Sequence, residues 1–443
     1  MSPLQRKATL LLLAGALALP VVSAARPAGQ APTASELRTA IAQPVSAIQR
    51  RVLAPNIAEY FFKVRVGSGP YDQIGVHRVV KETAPNRPVH ARQAVFLTHG
   101  DIWNFRAAFL TGTGTHSIPI FLAQNGVDVW GIDFRWTFVP ATVTDLSFMK
   151  TWDLEQDASD LGIALGVARI TRGLTGSGLG KVDLLGWSRG GQIGYAYLNY
   201  ETQIPSILRQ VKGFIPVDIY LKTDVPQLQS FACQREANTE AAIAAGTYAA
   251  NSGGLIQALG GLAVADPNGS SILNGPPFNL PGYNNRQAGL LVGEATYLFL
   301  APLEPTPFYH FTGGTFEIEG KPAGLLYTNE GNLFALEQGS APLQPNQELA
   351  DADASTCGST PVDFDDHLAQ IKVPILYMGA GGGFGEFGIY TTTLLGSTDK
   401  TIHIVHKTSS TQRLSDFGHA DLFLANDAQT LVWQPILDWV RTH

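Results

Sequence analysis

The chain has little charge and almost no cysteine. Of its 443 residues, 15% are charged, the formal net charge is −7, and lysine and arginine form no block. That balance speaks against nucleic acid or an anionic membrane surface as a partner. Metal-ligand spacing is also missing. There is no His-x-x-x-His pair, no Asp/Glu cluster at ligand spacing, and neither cysteine has a His or Cys nearby. No metal and no cofactor is therefore expected. One apolar run, from Leu10 to Val22, stands out, and it is too short to cross a bilayer and has no stop-transfer flank. No other segment reaches the length of a membrane span.

That run has a different reading. Arg6 and Lys7 precede it, and Val22-Ser23-Ala24-Ala25 supplies small residues for cleavage. Residues 1–25 read as a secretory signal peptide, and without a cysteine after the run a lipid anchor is not expected. The mature protein is then secreted or periplasmic. In an oxidising compartment Cys233 and Cys357 read most simply as one disulfide.

The most informative stretch present is Lys181 to Gly191. A short apolar run leads into Gly186-Trp187-Ser188-Arg189-Gly190, and a helical segment, Gln192 to Tyr200, follows. A strand that turns sharply into a helix at a serine holds its hydroxyl up at the sheet edge. Gly186 and Gly190 allow the close backbone approach. The helix aims its first N–H groups at the same spot, where acyl transfer develops negative charge.

The length suits several domains or one large α/β domain with an insertion. Residues 26–55 are Ala/Pro/Gln-rich and read as an extended lead-in with a short helix near Ser35 to Ala42. From Glu59 a hairpin is expected around Gly67-Ser68-Gly69-Pro70. Buried strands follow at Ala94–Thr98, Val127–Asp133, the elbow, and Val211–Asp218, with helical stretches between them, including Leu154 to Thr171. The alternation stops after about Tyr220, where Ala-rich helical stretches (Ala237 to Ala250, Ala288 to Leu300) lie among Gly/Pro/Asn loops. It resumes at Val373–Gly379, Thr401–His406 and a terminal amphipathic helix, Ala428 to Val440. The expected organisation is a mostly parallel sheet flanked by helices (core residues 56–220 and 367–443). Residues 221–366 form a large, mainly helical insertion above its carboxyl edge, where ligands bind. An insertion there reads as a lid.

Four motifs in this order resemble the α/β-hydrolase superfamily over nearly everything after Glu59: His99-Gly100-Asp101, Val129 to Arg135, Gly186 to Gly190, and Phe417-Gly418-His419-Ala420-Asp421-Leu422-Phe423. Within it, the strand before Arg135 and the block from Gly418 to Ala428 look most like the acid-lipase branch. The resemblance implies Ser188 as nucleophile and His419 as its base. The backbone amides of Asp101 and Arg189 would form the oxyanion hole, with the Asp101 side chain a bystander and His99 bracing the loop. Trp103 and Trp187 flank this point and are candidate walls of an apolar acyl site. The commonest position for the orienting acid, just after Val373–Met378, holds Gly379-Ala380-Gly381-Gly382-Gly383 instead. Some members carry the acid at the end of the preceding strand, which is Asp218 here; Glu386 is the alternative, and Asp399 a further one.

The reading is a secreted serine hydrolase acting on a carboxylic ester, with a small-molecule or lipid-like substrate. The apolar residues of the insertion (Phe278, Leu280, Tyr297, Phe299, Phe308, Phe311) lean towards a hydrophobic or aromatic one. An amidase, lactonase or acyltransferase would use the same residues. A serine disfavours the haloalkane and epoxide branches, and a non-catalytic binding protein on this fold is the reading from another class.

Overall fold

The computed structural model describes residues 46–112, 116–296, 306 and 308–443. The expected signal peptide, the expected helix near residues 35–42, and Tyr297 and Phe299 of the insertion lie outside these residues.

Ten strands make one sheet: β1 (Gln49–Ala54), β2 (Ile57–Arg65), β3 (Gln73–Ala84), β4 (Arg87–Pro88), β5 (Ala94–Thr98), β6 (Asp128–Asp133), β7 (Val182–Trp187), β8 (Val211–Val217), β9 (Ile375–Ala380) and β10 (Lys400–Val405). The order is β1-β2-β3-β6-β5-β7-β8-β9-β10, with β4 beside β3. The strands from β6 to β10 run parallel, and β1 to β4 pair antiparallel. Strand β5 is buried at every residue because helices cover both faces of the parallel part. Its side chains alternate between two cores. Val95 and Leu97 join the terminal helix residues Ile436, Leu437 and Val440 on one face. Phe96 joins Leu161 and Leu165 of α1 (Leu154–Leu174) and Ile193 of α2 (Arg189–Glu201) on the other.

Strand β1 is a departure from the sequence reading, which gave residues 49–54 to the lead-in. Its Arg50 and Arg51 suit a polar outer edge of the sheet, so the apolar alternation that marks an internal strand is missing.

Between β8 and β9 the described residues include five longer helices: α3 (Pro226–Ala244), α4 (Ser252–Ala265), α5 (Asn285–Glu294), α6 (Glu330–Gln338) and α7 (Asn346–Cys357). Helix α3 starts at Pro226 and stops at Ala244, earlier at both ends than the Ala-rich stretch suggested. Proline suits the first helical position because its missing N–H has no partner there anyway. Ala249–Ala250 instead pairs antiparallel with Gln344–Pro345. Helices α3 and α7 pack on each other, and the Cys233–Cys357 disulfide joins them. Among the described residues no helix is long and apolar enough to cross a membrane.

Candidate active site

Ser188 has φ 56° and ψ −131°, a backbone conformation that costs energy in a side-chain-bearing residue. The surroundings enforce it. Strand β7 ends at Trp187, α2 starts at Arg189, and the Ser188 amide is held by the Val217 carbonyl of β8 at 3.0 Å. Gly190 packs against the end of β5 so closely that a Cβ there would lie 2.3 Å from the Thr98 carbonyl oxygen. Between Val182 and Asn199 every residue is buried except Ser188, so the turn presents that one side chain outward.

Asp218 follows β8 directly and is wholly buried. Its Oδ2 accepts from His419 Nδ1 at 2.7 Å and from the Phe384 amide at 3.1 Å. Its Oδ1 accepts from the amides of Ala380 and Gly385, each at 2.8 Å. Two of these four donors, Phe384 and Gly385, belong to the glycine-rich turn after β9, and a third, Ala380, is the last residue of that strand. A Cβ on Gly383 would sit 1.9 Å from Asp218 Oδ2. The run that lacks an acid of its own thus wraps the acid of the neighbouring strand. Glu386 lies elsewhere: half exposed, it pairs with Arg413 at 2.9 Å and His406 at 3.3 Å. Asp399 pairs with His443. Neither touches His419.

His419 is buried, with its ring stacked on Trp187 at 5.0 Å between centroids. Tyr309, Phe311 and Phe384 surround it at 5.4, 5.8 and 5.5 Å. Its loop is fastened to the insertion: the amides of His419 and Ala420 donate to the carbonyls of His310 and Phe311 at 2.9 and 2.7 Å. Asp421, two residues on, accepts from Thr328 Oγ1 at 2.6 Å and from the amides of Gly313 and Gly418, both at 2.8 Å. Burial pushes its carboxyl up to about 7 against these hydrogen bonds. Ser188 Oγ has no hydrogen-bond partner among the described residues.

On the other side of Ser188 lies the turn His99 to Asn104. His99 Nδ1–H donates to the Gly100 carbonyl at 2.9 Å, and burial holds the imidazole below its ordinary pKa, in the neutral form. The Asp101 side chain is not the bystander the sequence suggested. Arg189 Nε donates to Asp101 Oδ1 at 2.8 Å, and Gln344 of the insertion donates to the same oxygen. Short-range motifs carried no sign of this, because the partners are 88 and 243 residues away. Glu348 lies behind the pair, 3.8 Å from Arg189 Nε, and burial pushes its carboxyl up to about 8 against the pull of Arg189. Trp103 and Trp187 are both almost wholly buried, Trp103 against Phe311 and Trp187 under His419. They are packing around the site rather than open walls of it. A surface cavity of about 360 Å³ lined by Pro70, Arg135 and Trp152 touches none of these residues.

The fold of this chain has counterparts among solved structures. A protein of Sulfolobus solfataricus named as a lipase superposes with a TM-score of 0.58 at 19% identity, covering 90% of this chain and 99% of its own. The chain has the α/β-hydrolase fold. A soluble variant of the Saccharomyces cerevisiae monoglyceride lipase, in complex with a substrate analogue, gives 0.47 at 12% identity, covering 90% and 96%. No protein-family model matches the sequence, and no match is found among curated proteins. Within the α/β-hydrolase fold, Ser188 and Asp218 stand at the carboxyl ends of adjacent strands, and His419 arrives from a loop after β10. The roles of Gln344, Glu348 and Asp421 had no signal in the sequence beyond their residue types, apart from Asp421 falling within the Gly418-His419-Ala420-Asp421 motif.

Proposed function

We propose that the protein is a serine hydrolase that cleaves a carboxylic ester through an acyl-enzyme. Ser188 attacks the carbonyl carbon as His419 Nε2 takes its proton. The alkoxide leaves with that proton, and a water activated by His419 releases the acid. Asp218 keeps the Nδ1 proton in place and stabilises the imidazolium. The amides of Asp101 and Arg189 receive the oxyanion. The observation that supports this most is the 2.7 Å pairing of buried Asp218 with His419 beside a serine at φ 56°. Serine-to-histidine contacts are often long before substrate seats.

Residues 221–366 act as the lid of this site, and residues 56–220 and 367–443, together with edge strand β1 (Gln49–Ala54), make its hydrolase core. The rings of Tyr309, Phe311 and Phe384 around His419 favour a bulky hydrophobic or aromatic ester. The disulfide suits a secreted or periplasmic protein. The test is labelling with a fluorophosphonate, read by intact mass. One adduct on the wild type and none on Ser188→Ala is expected; labelling that persists in the variant removes Ser188 from the role. Turnover of p-nitrophenyl esters of increasing acyl length then reads the substrate preference, which should rise with chain length.

A further inference from the structure

The turn that carries the Asp101 amide is not held by the hydrolase core alone. Ile102, the next residue, sits at φ 56°, a region that a β-branched side chain adopts only under constraint. Three bonds from one stretch of the insertion supply that constraint. The Ala341 amide donates to the Ile102 carbonyl, Asn104 Nδ2 donates to the Gly339 carbonyl at 2.9 Å, and Gln344 Nε2 donates to Asp101 Oδ1. The Asp101 carboxylate in turn grips Arg189 through Nε at 2.8 Å and Nη2 at 3.4 Å. Arg189 Nη1 donates to Gln192 Oε1 at 2.6 Å, and Gln192 Nε2 donates to the Tyr220 carbonyl at 2.8 Å. The two residues whose amides the proposed mechanism assigns to the oxyanion are thus joined through their side chains, and the joint is fastened to the insertion by Gln344.

From this geometry we propose that residues 339–344 brace the oxyanion site, and that Gln344 and the Asp101 carboxylate are positioning residues setting the spacing of the Asp101 and Arg189 amides. The proposal rests on the reading of Ser188 as nucleophile. It assigns the insertion a part in the chemical step as well as in covering the site. An amide displaced from the oxyanion weakens the transition state and leaves the ground-state complex nearly untouched. Loss of the brace therefore falls on kcat, not KM.

The experiment compares the wild type with Gln344→Leu, Asp101→Asn and the double variant, using p-nitrophenyl butyrate as substrate and phenylboronic acid as a probe. The boronate forms a tetrahedral serine adduct with an oxygen in the oxyanion position. Asp101→Asn keeps the side-chain volume, so it serves if Gln344→Leu folds poorly; thermal melting identifies the folded variants. The expected result is a kcat lower by about 10-fold to 100-fold, less than loss of a whole donor. KM should stay within about 2-fold and the boronate inhibition constant should rise in step with the fall in kcat. The double variant should be little worse than Asp101→Asn, because both remove one connected unit. Unchanged kcat in folded variants, a kcat loss without loss of boronate affinity, or effects that multiply in the double variant would each overturn the brace. A wild type that neither boronate nor fluorophosphonate inhibits fails the underlying reading, and the brace goes with it.

Discussion

Asp218→Asn separates the charge of the buried acid from its shape. All four hydrogen bonds to this side chain come from N–H donors: Ala380 and Gly385 on Oδ1, Phe384 and His419 on Oδ2. An asparagine offers one oxygen and one NH2. If its oxygen takes the Oδ1 place, the NH2 faces the Phe384 amide and His419. The imidazole then turns to the tautomer with its proton on Nε2, which cannot accept the Ser188 proton. If the amide flips, two backbone N–H groups lose their acceptor. Either arrangement leaves one or two buried donors unpaired, at about 1–3 kcal/mol each. Backbone strain does not add to this, since asparagine tolerates the φ of 49° found at residue 218. The expected outcome is a kcat lower by about 10³–10⁴ with KM little changed, the size seen when an orienting aspartate becomes asparagine in a serine triad. Steady-state turnover of a p-nitrophenyl ester measures it, with Glu386→Gln in parallel costing less than about 3-fold because that carboxylate lies half exposed on Arg413. A nearly intact Asp218→Asn beside a crippled Glu386→Gln would refute the reasoning.

Three further outcomes follow from the same geometry. Gly383→Ala puts a methyl 1.9 Å from Asp218 Oδ2, so the carboxylate must move, and kcat should fall about 10²-fold; wild-type turnover would show that the turn yields instead. Breaking the Cys233–Cys357 bridge, which spans 124 residues, should cost about 5 kcal/mol on the chain-entropy view, and equal urea midpoints for oxidised and reduced protein would contradict it. His77 is buried between Glu59 and Asp133, at 2.8 and 2.9 Å. Burial opposes its charge, but Asp133 and Glu59 raise its pKa above the ordinary 6.5, so its contribution is full below 6.5 and fades as pH rises through the raised value. Burial also opposes ionisation of Glu59, yet the His77 hydrogen bond brings it down to about 2, so its contribution holds above 4.5 and fades as pH falls towards 2. Urea midpoints should therefore peak between about pH 4.5 and 6.5, and His77→Gln should flatten the alkaline decline; a variant that declines as the wild type does would exclude His77 as the cause.

The sequence by itself determined the parallel core and the elbow. Buried parallel strands such as Ala94–Thr98 are continuous apolar runs, and the Gly186 to Gly190 turn is encoded within five residues, so both signals are local. It also narrowed the acid to a short set headed by Asp218, because a glycine run cannot supply a carboxylate. What made Asp218 the partner of His419 lies 201 residues away in the chain, and only the fold brings the two together. The same holds for the polar edge strand Gln49–Ala54, whose pairing with β2 carries no apolar pattern to read. The Asp101 side chain was misjudged for that reason too. Its partners Arg189 and Gln344 lie on the elbow helix and on the insertion, and a carboxylate in a loop motif says nothing of distant donors. Periodicity and turn chemistry act over a few residues, whereas hydrogen bonds across a buried site depend on which distant segments the hydrophobic core draws together.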